Sequence, residues 1–422
     1  MKNLRAILLL FAANTLSGIS QGIVTITVSW YIANELGLPA HQSAVVILST
    51  AIAVFWGPYA GSLIDRYDRR RIFQAINIVG VLLMGTLALI GQMRGEVTFW
   101  MAAPAFLLTI AAYNIHFPNL YAFAQEITLP AHYARITSMI EVQNQISFFV
   151  SGALASFLME GSFFGTPIPV WSMEDVFVLD AMTYALGLIF IAGIRYTPVA
   201  RRVIDTTPAR QRIRRGIRFL WKNPLLLRFG IVASFVFATV LVASYWVLPM
   251  YINRHLSAGQ DVFGTAEGLF AFGAMSAGLV LLGVKRQGRE ITGILVLMVA
   301  AVGLYLVLGF TQAAWVLIAG YGFIGFCNAG IRILRTTYIF RIVPNSIIGR
   351  TGSVFLILNA IMRIGFLSLF ALPFFSRGTN VVWAMHLFAL YIAAGVLFLV
   401  VRHGPLTSLR QDDLDFRAAQ SA

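Results

Sequence analysis

Ionisable side chains interrupt several long apolar runs of this sequence, and their chemistry is the first clue to function. Glu126, Glu141 and Asp180 carry carboxyl groups that could hold a proton or pair with a cation. His116 could be a proton site or a hydrogen-bonded packing residue. Charged groups in apolar surroundings are expensive and usually functional. We therefore treat these positions as candidates for substrate binding or proton coupling.

Three arginines occupy comparable positions in the second half of the chain. Arg332 and Arg335 are three positions apart and so share one helix face. Arg363 lies about fourteen residues into the next apolar run, which places it near the middle of a membrane. Such an arginine must meet an acid, a water-filled cavity or an anionic ligand. Two interpretations follow: an anionic or amphipathic substrate, or a structural pairing with Glu141 or Asp180.

Each carboxyl group leaves alternatives open. Glu126 lies near the cytoplasmic end of its apolar run. It either forms a latch, by pairing with Arg135 or with the arginines of the charged segment 61–71, or contacts a substrate. Glu141 is either a protonatable carrier or one member of an ion pair. Asp180 could also face water near the outer third of its helix. Uncharged groups in apolar runs complete the candidate set for substrate binding or coupling: Asn14, Gln21, Tyr113 and Asn144.

The composition identifies the elements that must hold these groups. Of 422 residues, 59% are hydrophobic and 11% are charged, and the mean hydropathy is +0.79. A soluble domain carries about 25% charged residues, so a multi-pass membrane protein is predicted, and at about 20 residues per span the length suits roughly twelve helices. The apolar runs place these helices at about 4–33, 43–64, 72–93, 98–123, 134–159, 176–196, 226–252, 264–284, 292–309, 314–340, 349–374 and 381–401.

The positive charge follows the predicted topology. The formal net charge is +14, but the Lys and Arg residues concentrate in alternate loops and do not form a nucleic-acid patch. The positive-inside rule makes those loops and both termini cytoplasmic, beside an anionic inner leaflet. We therefore expect a monomer in the bacterial inner membrane whose partners are membrane lipids and a small-molecule substrate, with no nucleic acid.

The longest hydrophilic stretch between spans, residues 195–222, separates the two halves of the chain. Its isoleucine, phenylalanine, leucine and tryptophan residues alternate with basic residues, which is typical of an amphipathic helix on the inner leaflet. We predict a first six-helix bundle over 1–200, a cytoplasmic linker with this basic helix over 201–224, a second six-helix bundle over 225–405 and a cytoplasmic tail over 406–422.

The sequence contains no catalytic or cofactor-binding constellation. It has no phosphate-binding glycine-rich loop with lysine, which argues against ATP as the energy source, and its histidines lack zinc-site spacing. The one cysteine, Cys327, allows neither an intramolecular disulfide nor a cysteine metal site. We predict that the protein is not an enzyme and has no metal and no cofactor.

A short charged segment between the second and third apolar runs carries the most specific pattern. In residues 61–71, Gly61 permits close helix packing and Asp65 stands among arginines. The pattern G-x-L-x-D-R-x-D-R-R-R resembles the loop between helices two and three of the major facilitator superfamily of transporters. The resemblance implies the fold of that family, an all-α membrane protein with twelve transmembrane helices in two pseudo-symmetric six-helix bundles.

The same resemblance implies a conformational latch. In the superfamily the acid at Asp65 docks at the N-terminus of helix eleven, here near Gly349 and Arg350, where the helix dipole favours a carboxylate. The latch would hold the cytoplasmic side closed and break when the cavity opens inward. Its predicted members are Gly61, Asp65, Arg66, Arg69, Arg70, Glu126, Arg135 and Arg350.

An internal repeat indicates that the two halves match. Identical residues recur in order at separations of 214 or 215 positions: Asn114 with Asn328, Pro130 with Pro344, Arg135 with Arg350, Ser138 with Ser353 and Asn144 with Asn359. A repeat of half the chain predicts two bundles related by an axis along the membrane normal.

Shorter matches point to branches of the superfamily. Residues 215–224 resemble the segment before helix seven in enterobactin-exporter-like transporters, and residues 118–141 are similar to bacterial lysophospholipid transporters. Helix four lacks the arginine, and helix five the Gly-Pro motif, of proton-coupled drug exporters. These departures argue against drug/proton antiport but not against transport.

The resulting hypothesis is an alternating-access secondary transporter. It would export an amphipathic or anionic small molecule such as a siderophore or drug, with protons as the candidate coupling ion. The alternatives are a lysophospholipid flippase-like transporter, a facilitator for another organic anion or metal chelate, and a membrane receptor or enzyme.

Overall fold

The structure is a computed structural model that describes residues 3–129, 133–160, 162–163, 166–167, 169–197, 209–282, 289–343 and 345–414. Within helices and strands, the description excludes the side chains at 56–63, 65–66, 133–135, 137–138, 141, 156, 160, 162–163, 166–167, 209–210, 212–213, 282, 345–350 and 411.

Six long helices form the first half of the described chain. They are α1 (Leu4–Trp30, continued by the π-helix Tyr31–Glu35), α2 (Pro39–Arg66), α3 (Arg69–Arg94), α4 (Phe99–Ile127), α5 (Tyr133–Glu160) and α6 (Met173–Ala192). A hairpin of two-residue antiparallel strands, β1 (Ser162–Phe163) and β2 (Thr166–Pro167), separates α5 from α6.

The second half begins with the basic helix α7 (Ala209–Lys222). It continues with α8 (Pro224–Val232), α9 (Phe235–Val242), the π-helix Ala243–Val247, α10 (Leu248–Arg254), α11 (Gln260–Leu282), α12 (Glu290–Phe310), α13 (Ala314–Ile342), α14 (Asn345–Phe370), α15 (Val382–Val401), α16 (His403–Ser408) and the 3₁₀ turn Gln411–Asp413.

The predicted membrane-spanning pattern is confirmed. In the described part of the chain, 10 helical segments are long and apolar enough to cross a membrane: α1, α3, α4, α6, the α8–α10 run, and α11 to α15. Helices α2 and α5 have 28 residues each, which is also sufficient for a hydrocarbon core about 30 Å thick. The fold is therefore the predicted all-α fold of twelve long helices.

Two of the predicted helices differ in detail from the structure. The seventh helix is not continuous, because it breaks after Val232, and Ser234 occupies the break. The Ser234 hydroxyl donates to the Gly230 carbonyl at 2.7 Å, a back-bond that favours bending. The sixth helix ends at Ala192 instead of Tyr196. At this end Arg70 donates hydrogen bonds to the carbonyl oxygens of Ile191 and Ala192.

The chain forms two compact units. Unit 1 comprises Met1–Asp205 with Ala258–Gly268, and unit 2 comprises Thr206–Ser257 with Leu269–Ala422. The domain boundaries given above remain predictions, and the units differ from them in grouping the start of α11 with unit 1.

Close approach of α3 and α6 in unit 1 depends on two glycines. A Cβ atom at Gly80 would lie 2.5 Å from the ring of Tyr184, and one at Gly187 would lie 2.6 Å from Oδ1 of Asn77. Small residues at such positions let membrane helices pack backbone against side chain. The ring of Tyr184 therefore has a fixed place in the centre of unit 1.

We expect the substitution Gly80→Ala to destabilise the protein. The new methyl group would displace the ring of Tyr184, and overpacking of this kind typically costs about 1–3 kcal/mol. The measurement is thermal unfolding of the purified protein in detergent. The control is Gly85→Ala on the same helix, where no atom lies within 4 Å and a helix-favouring residue should be neutral or stabilising. Equal unfolding temperatures for the two variants would contradict the packing argument.

Candidate functional site

A buried polar network in unit 1 is centred on Asn14. Its Nδ2 atom donates to Gln143 Oε1 at 3.0 Å and to Asn144 Oδ1 at 3.2 Å, and its Oδ1 atom lies 2.9 Å from His116 Nε2. Because Asn14 Oδ1 can only accept, this arrangement assigns the hydrogen of the neutral imidazole to Nε2. The network joins α1, α4 and α5 and brings together three residues predicted from sequence.

A small cavity lies beside this network. It is lined by Asn14 and His116 together with Asn77 and Tyr184, and its volume of about 10 Å³ suits about one water molecule. Polar groups from α1, α3, α4 and α6 therefore meet at one point inside unit 1. Asn77 and Tyr184 were not predicted as site residues.

Among the described acids of unit 1, Asp180 is the most deeply buried. Its side chain is 1% exposed, so it does not face water, and its Oδ1 atom accepts a hydrogen bond from Ser20 at 2.5 Å. Its Oδ2 atom has no hydrogen-bond donor among the described residues. Tyr184 lies close to Asp180 and Gln21, which connects this acid to the cavity.

A second polar cluster, in unit 2, surrounds the helix break at Ser234. The guanidinium group of Arg335 on α13 donates to the Ser234 hydroxyl at 2.5 Å. The amide of Asn359 on α14 donates to the Ser234 carbonyl at 3.4 Å. Arg363 follows Asn359 by one helical turn, so both lie on the same face of α14, and it lies near Tyr245. Polar groups from two helices, α13 and α14, therefore meet at the break.

No carboxylate among the described side chains pairs with an arginine of this cluster. Among the described residues, Arg332, Arg335 and Arg363 form no ion pair, and the Nε atom of Arg363 is buried without a hydrogen-bond partner. Arg332 is exposed, whereas the other two are partly buried. We refer to these three residues as the arginine cluster. Their positive charge is available to an anionic group.

An ion pair links the start of α3 to the end of α4 in unit 1. Arg69, at the start of α3, lies 2.9 Å from Glu126 Oε2, and it also donates to the Ala122 carbonyl at 2.5 Å. The hydroxyl of Tyr196 donates to Glu126 Oε1 at 2.9 Å. Burial, reinforced by the adjacent Glu126 carboxylate, raises the pKa of the Tyr196 phenol. The sequence predicted either Arg135 or an arginine of the charged segment 61–71 as the partner of Glu126. In the structure the partner is Arg69, which belongs to that segment.

Arg70 strengthens the same end by binding a helix terminus. Its Nε and terminal nitrogen atoms donate to the carbonyls of Ile191 and Ala192 at 3.1 and 2.6 Å. A cation at the carboxyl end of a helix is favoured by the helix dipole. Asp68 caps the start of α3 by accepting from the main-chain nitrogen of Arg71 at 3.1 Å.

Several predicted site residues lie elsewhere or outside the described side chains. Tyr113 is 39% exposed, and its ring centre lies 4.4 Å from that of Phe117. The roles predicted for six residues fall on side chains outside the description: Gly61, Asp65, Arg66, Arg135, Glu141 and Arg350. The proposed docking of Asp65 on helix eleven therefore stays a prediction.

Sequence reasoning missed other polar residues that the structure brings forward. Ser234 and Tyr196 carry no signal in a single sequence, because serine in an apolar run and tyrosine at a helix end are both common. Glu267 had a signal, since it is an acid inside an apolar run and is partly buried in α11. The rule that selected Glu141 should have selected it as well.

The long apolar helices define a multi-pass membrane protein. The sequence model of the Major Facilitator Superfamily matches residues 10–367, and the chain belongs to this family. The predicted resemblance is thereby confirmed, and the family identifies a transporter and not an enzyme.

Relatives and solved structures agree with this assignment. The chain is 22% identical over 282 residues to macrolide efflux protein A of Streptococcus pyogenes, and the match covers 64% of this chain and 65% of that protein, just under two thirds of its length. It is 22% identical to the uncharacterised MFS-type transporter YfiS of Bacillus subtilis, with 77% and 73% coverage. The nucleoside transporter NupG (TM-score 0.69, 13% identity, 96% and 100% coverage) and a bacterial homologue of ferroportin (0.69, 11%, 97% and 100%) share the fold.

We expect Arg69 and Glu126 to be energetically coupled. Their side chains are 15% and 17% exposed, so each single substitution, Arg69→Gln or Glu126→Gln, leaves a partly buried charge unpaired and should cost about 1.5–3 kcal/mol. The double variant should cost less than the sum, because neither charge then remains. Unfolding of the four proteins in detergent measures this coupling. Additive losses would show that the contact contributes nothing to stability.

Proposed function

We propose that this protein is an alternating-access secondary transporter that exports an amphipathic organic anion across the bacterial inner membrane, coupled to protons. One observation carries the proposal. The described part of the membrane-spanning region contains three arginines without carboxylate partners, gathered near a broken helix. Such groups mark ligand pathways in transporters.

The geometry of unit 2 suits an anionic group. The Ser234 hydroxyl, at the interruption of the seventh span, holds the guanidinium group of Arg335 in place. A positioned guanidinium group recognises a carboxylate or phosphate through paired charge-assisted hydrogen bonds. Arg363 adds a second, partly buried cation whose Nε atom has no acceptor among the described residues.

Aromatic side chains beside the arginine cluster suit the apolar part of such a substrate. The ring of Phe235 stacks on Tyr391 with ring centres 3.8 Å apart, and Phe366 meets Tyr391 edge to face at 4.9 Å. Phe235 is adjacent in sequence to Ser234, and Phe366 lies one turn beyond Arg363. Binding sites for small molecules commonly combine apolar walls with a few placed polar groups.

Asp180 is the proposed proton carrier. It is a buried carboxyl group with one oxygen bound to Ser20, and no cation pairs with it among the described residues. A carboxyl group of this kind can take up or release a proton whenever conformational change admits water. The titratable neighbours are few, because His116 and Tyr184 are the titratable residues that line the adjoining cavity.

The proposed direction of transport and the proposed orientation in the membrane are supported by different observations. The relatives named macrolide efflux protein A support export, although identity of 22% does not transfer their substrate. The basic loops support cytoplasmic termini through the positive-inside rule.

We expect the arginine cluster to discriminate by charge. The probes are a dansyl-labelled amphipathic carboxylate and its neutral methyl ester, with uptake measured in inside-out proteoliposomes. Arg335→Gln and Arg363→Gln should each raise KM for the carboxylate by roughly 10- to 100-fold, the loss expected for one charge-assisted hydrogen bond, with little change for the ester.

The matched control for this experiment is Arg341→Gln, because Arg341 already pairs with Glu290 at 3.4 Å. That variant should leave both KM values near those of the unmodified protein. Equal effects of Arg363→Gln on the two probes, or failure of the unmodified protein to prefer the carboxylate, would refute the anion assignment.

We expect Asp180→Asn to uncouple transport from protons. The amide keeps the shape and the contact with Ser20 but cannot carry a proton, so accumulation driven by an imposed pH gradient should be lost while substrate exchange without a gradient persists. Asp412→Asn, at an exposed position near the end of the described chain, is the control. Gradient-driven accumulation that survives in Asp180→Asn would exclude this role.

A further inference from the structure

Helix α7 has one face buried against the rest of unit 2. Gly216, Phe219 and Leu220 are buried, and α7 packs on α14 and α8. The amide of Asn223 donates to the Phe219 carbonyl at 2.9 Å, and Pro224 then starts the next membrane span. The chain therefore passes directly from the end of α7 into the membrane, which places this end at the boundary between lipid and water.

The opposite face of α7 combines apolar and basic side chains. Trp221 is 77% exposed and Ile217 is 45% exposed. Arg214, Arg218 and Lys222 lie on the same side, because positions 214, 217, 218, 221 and 222 follow the three- and four-residue spacing of a helix face. We call these five residues the α7 surface.

We propose that the α7 surface is a binding site for anionic phospholipids. Its two apolar side chains would enter the headgroup region, where tryptophan is favoured, and its cations would contact lipid phosphates. Charge complementarity selects the anionic headgroup, since a zwitterionic lipid offers no net attraction to three positive charges. The site is separate from the arginine cluster.

Because α7 packs on α14, lipid binding at the α7 surface would also affect α14. Helix α14 also carries Asn359 and Arg363, so a lipid bound to the α7 surface would brace the helix that carries one of the three arginines of the cluster. The lipid composition of the leaflet would thereby affect how firmly α14 is held. Binding itself does not depend on what the protein transports.

The test uses the full-length protein in vesicles of phosphatidylcholine with increasing phosphatidylglycerol. Quenching of tryptophan fluorescence by brominated phosphatidylglycerol, compared with brominated phosphatidylcholine, gives a relative association constant. The Trp221→Phe variant identifies the part of the signal that comes from the α7 surface. The unmodified protein should prefer phosphatidylglycerol, and the preference should fall as salt is raised.

The triple variant Arg214→Gln, Arg218→Gln, Lys222→Gln should reduce the preference by up to about fivefold for each cation removed. The matched control removes the same charge from exposed positions elsewhere: Arg289→Gln, Arg402→Gln and Arg410→Gln. It should retain the preference. The proposal is overturned if the triple variant keeps the preference, if both triple variants lose it equally, or if Trp221→Phe leaves the lipid-specific quenching unchanged.

Discussion

Polar side chains inside a membrane must find their partners within the protein, and this constraint organises both units of the structure. Lipid offers no hydrogen bonds, so a polar group in a span must bond to its own helix, bond to another helix or be held for a ligand. In unit 1 the constraint produces the network around Asn14, which ties α1 to α4 and α5. In unit 2 it produces the cluster at Ser234, where α13 and α14 bind a broken helix.

These two clusters show that residues at matching positions of the internal repeat make matching contacts. Asn144 and Asn359 occupy matching positions of the repeat, on the fifth and eleventh long helices. Asn144 accepts a hydrogen bond from Asn14 on the first helix, and Asn359 donates to Ser234 in the seventh span. Each asparagine therefore contacts the first span of its own half. The surroundings of the two clusters differ in charge, because the buried acid Asp180 lies near the first and the arginines Arg335 and Arg363 lie near the second.

Single-sequence reasoning predicted the helices well because a membrane span needs about twenty apolar residues, a signal that survives without knowledge of contacts. It failed where one residue acts through a distant partner. The hydrogen bond between Ser20 and Asp180 joins positions 160 residues apart, and only the fold reveals that it removes Asp180 from water. The break at Ser234 was missed for a similar reason, since serine, unlike proline, does not mark a helix interruption.

The substrate class cannot come from the fold, because relatives at 22% identity and structures at 11–13% share an architecture that hosts many cargoes. It must be argued from charge. Arg341 in unit 2 shows how this protein satisfies a structural arginine, by pairing it with Glu290, a carboxyl group with a side chain 1% exposed. No described carboxylate does the same for Arg335 or Arg363. An arginine at the centre of a span costs about 2.5–3.5 kcal/mol on insertion scales, so two without acids are a burden unless an anion offsets them. That contrast within one unit favours a ligand role over a structural one.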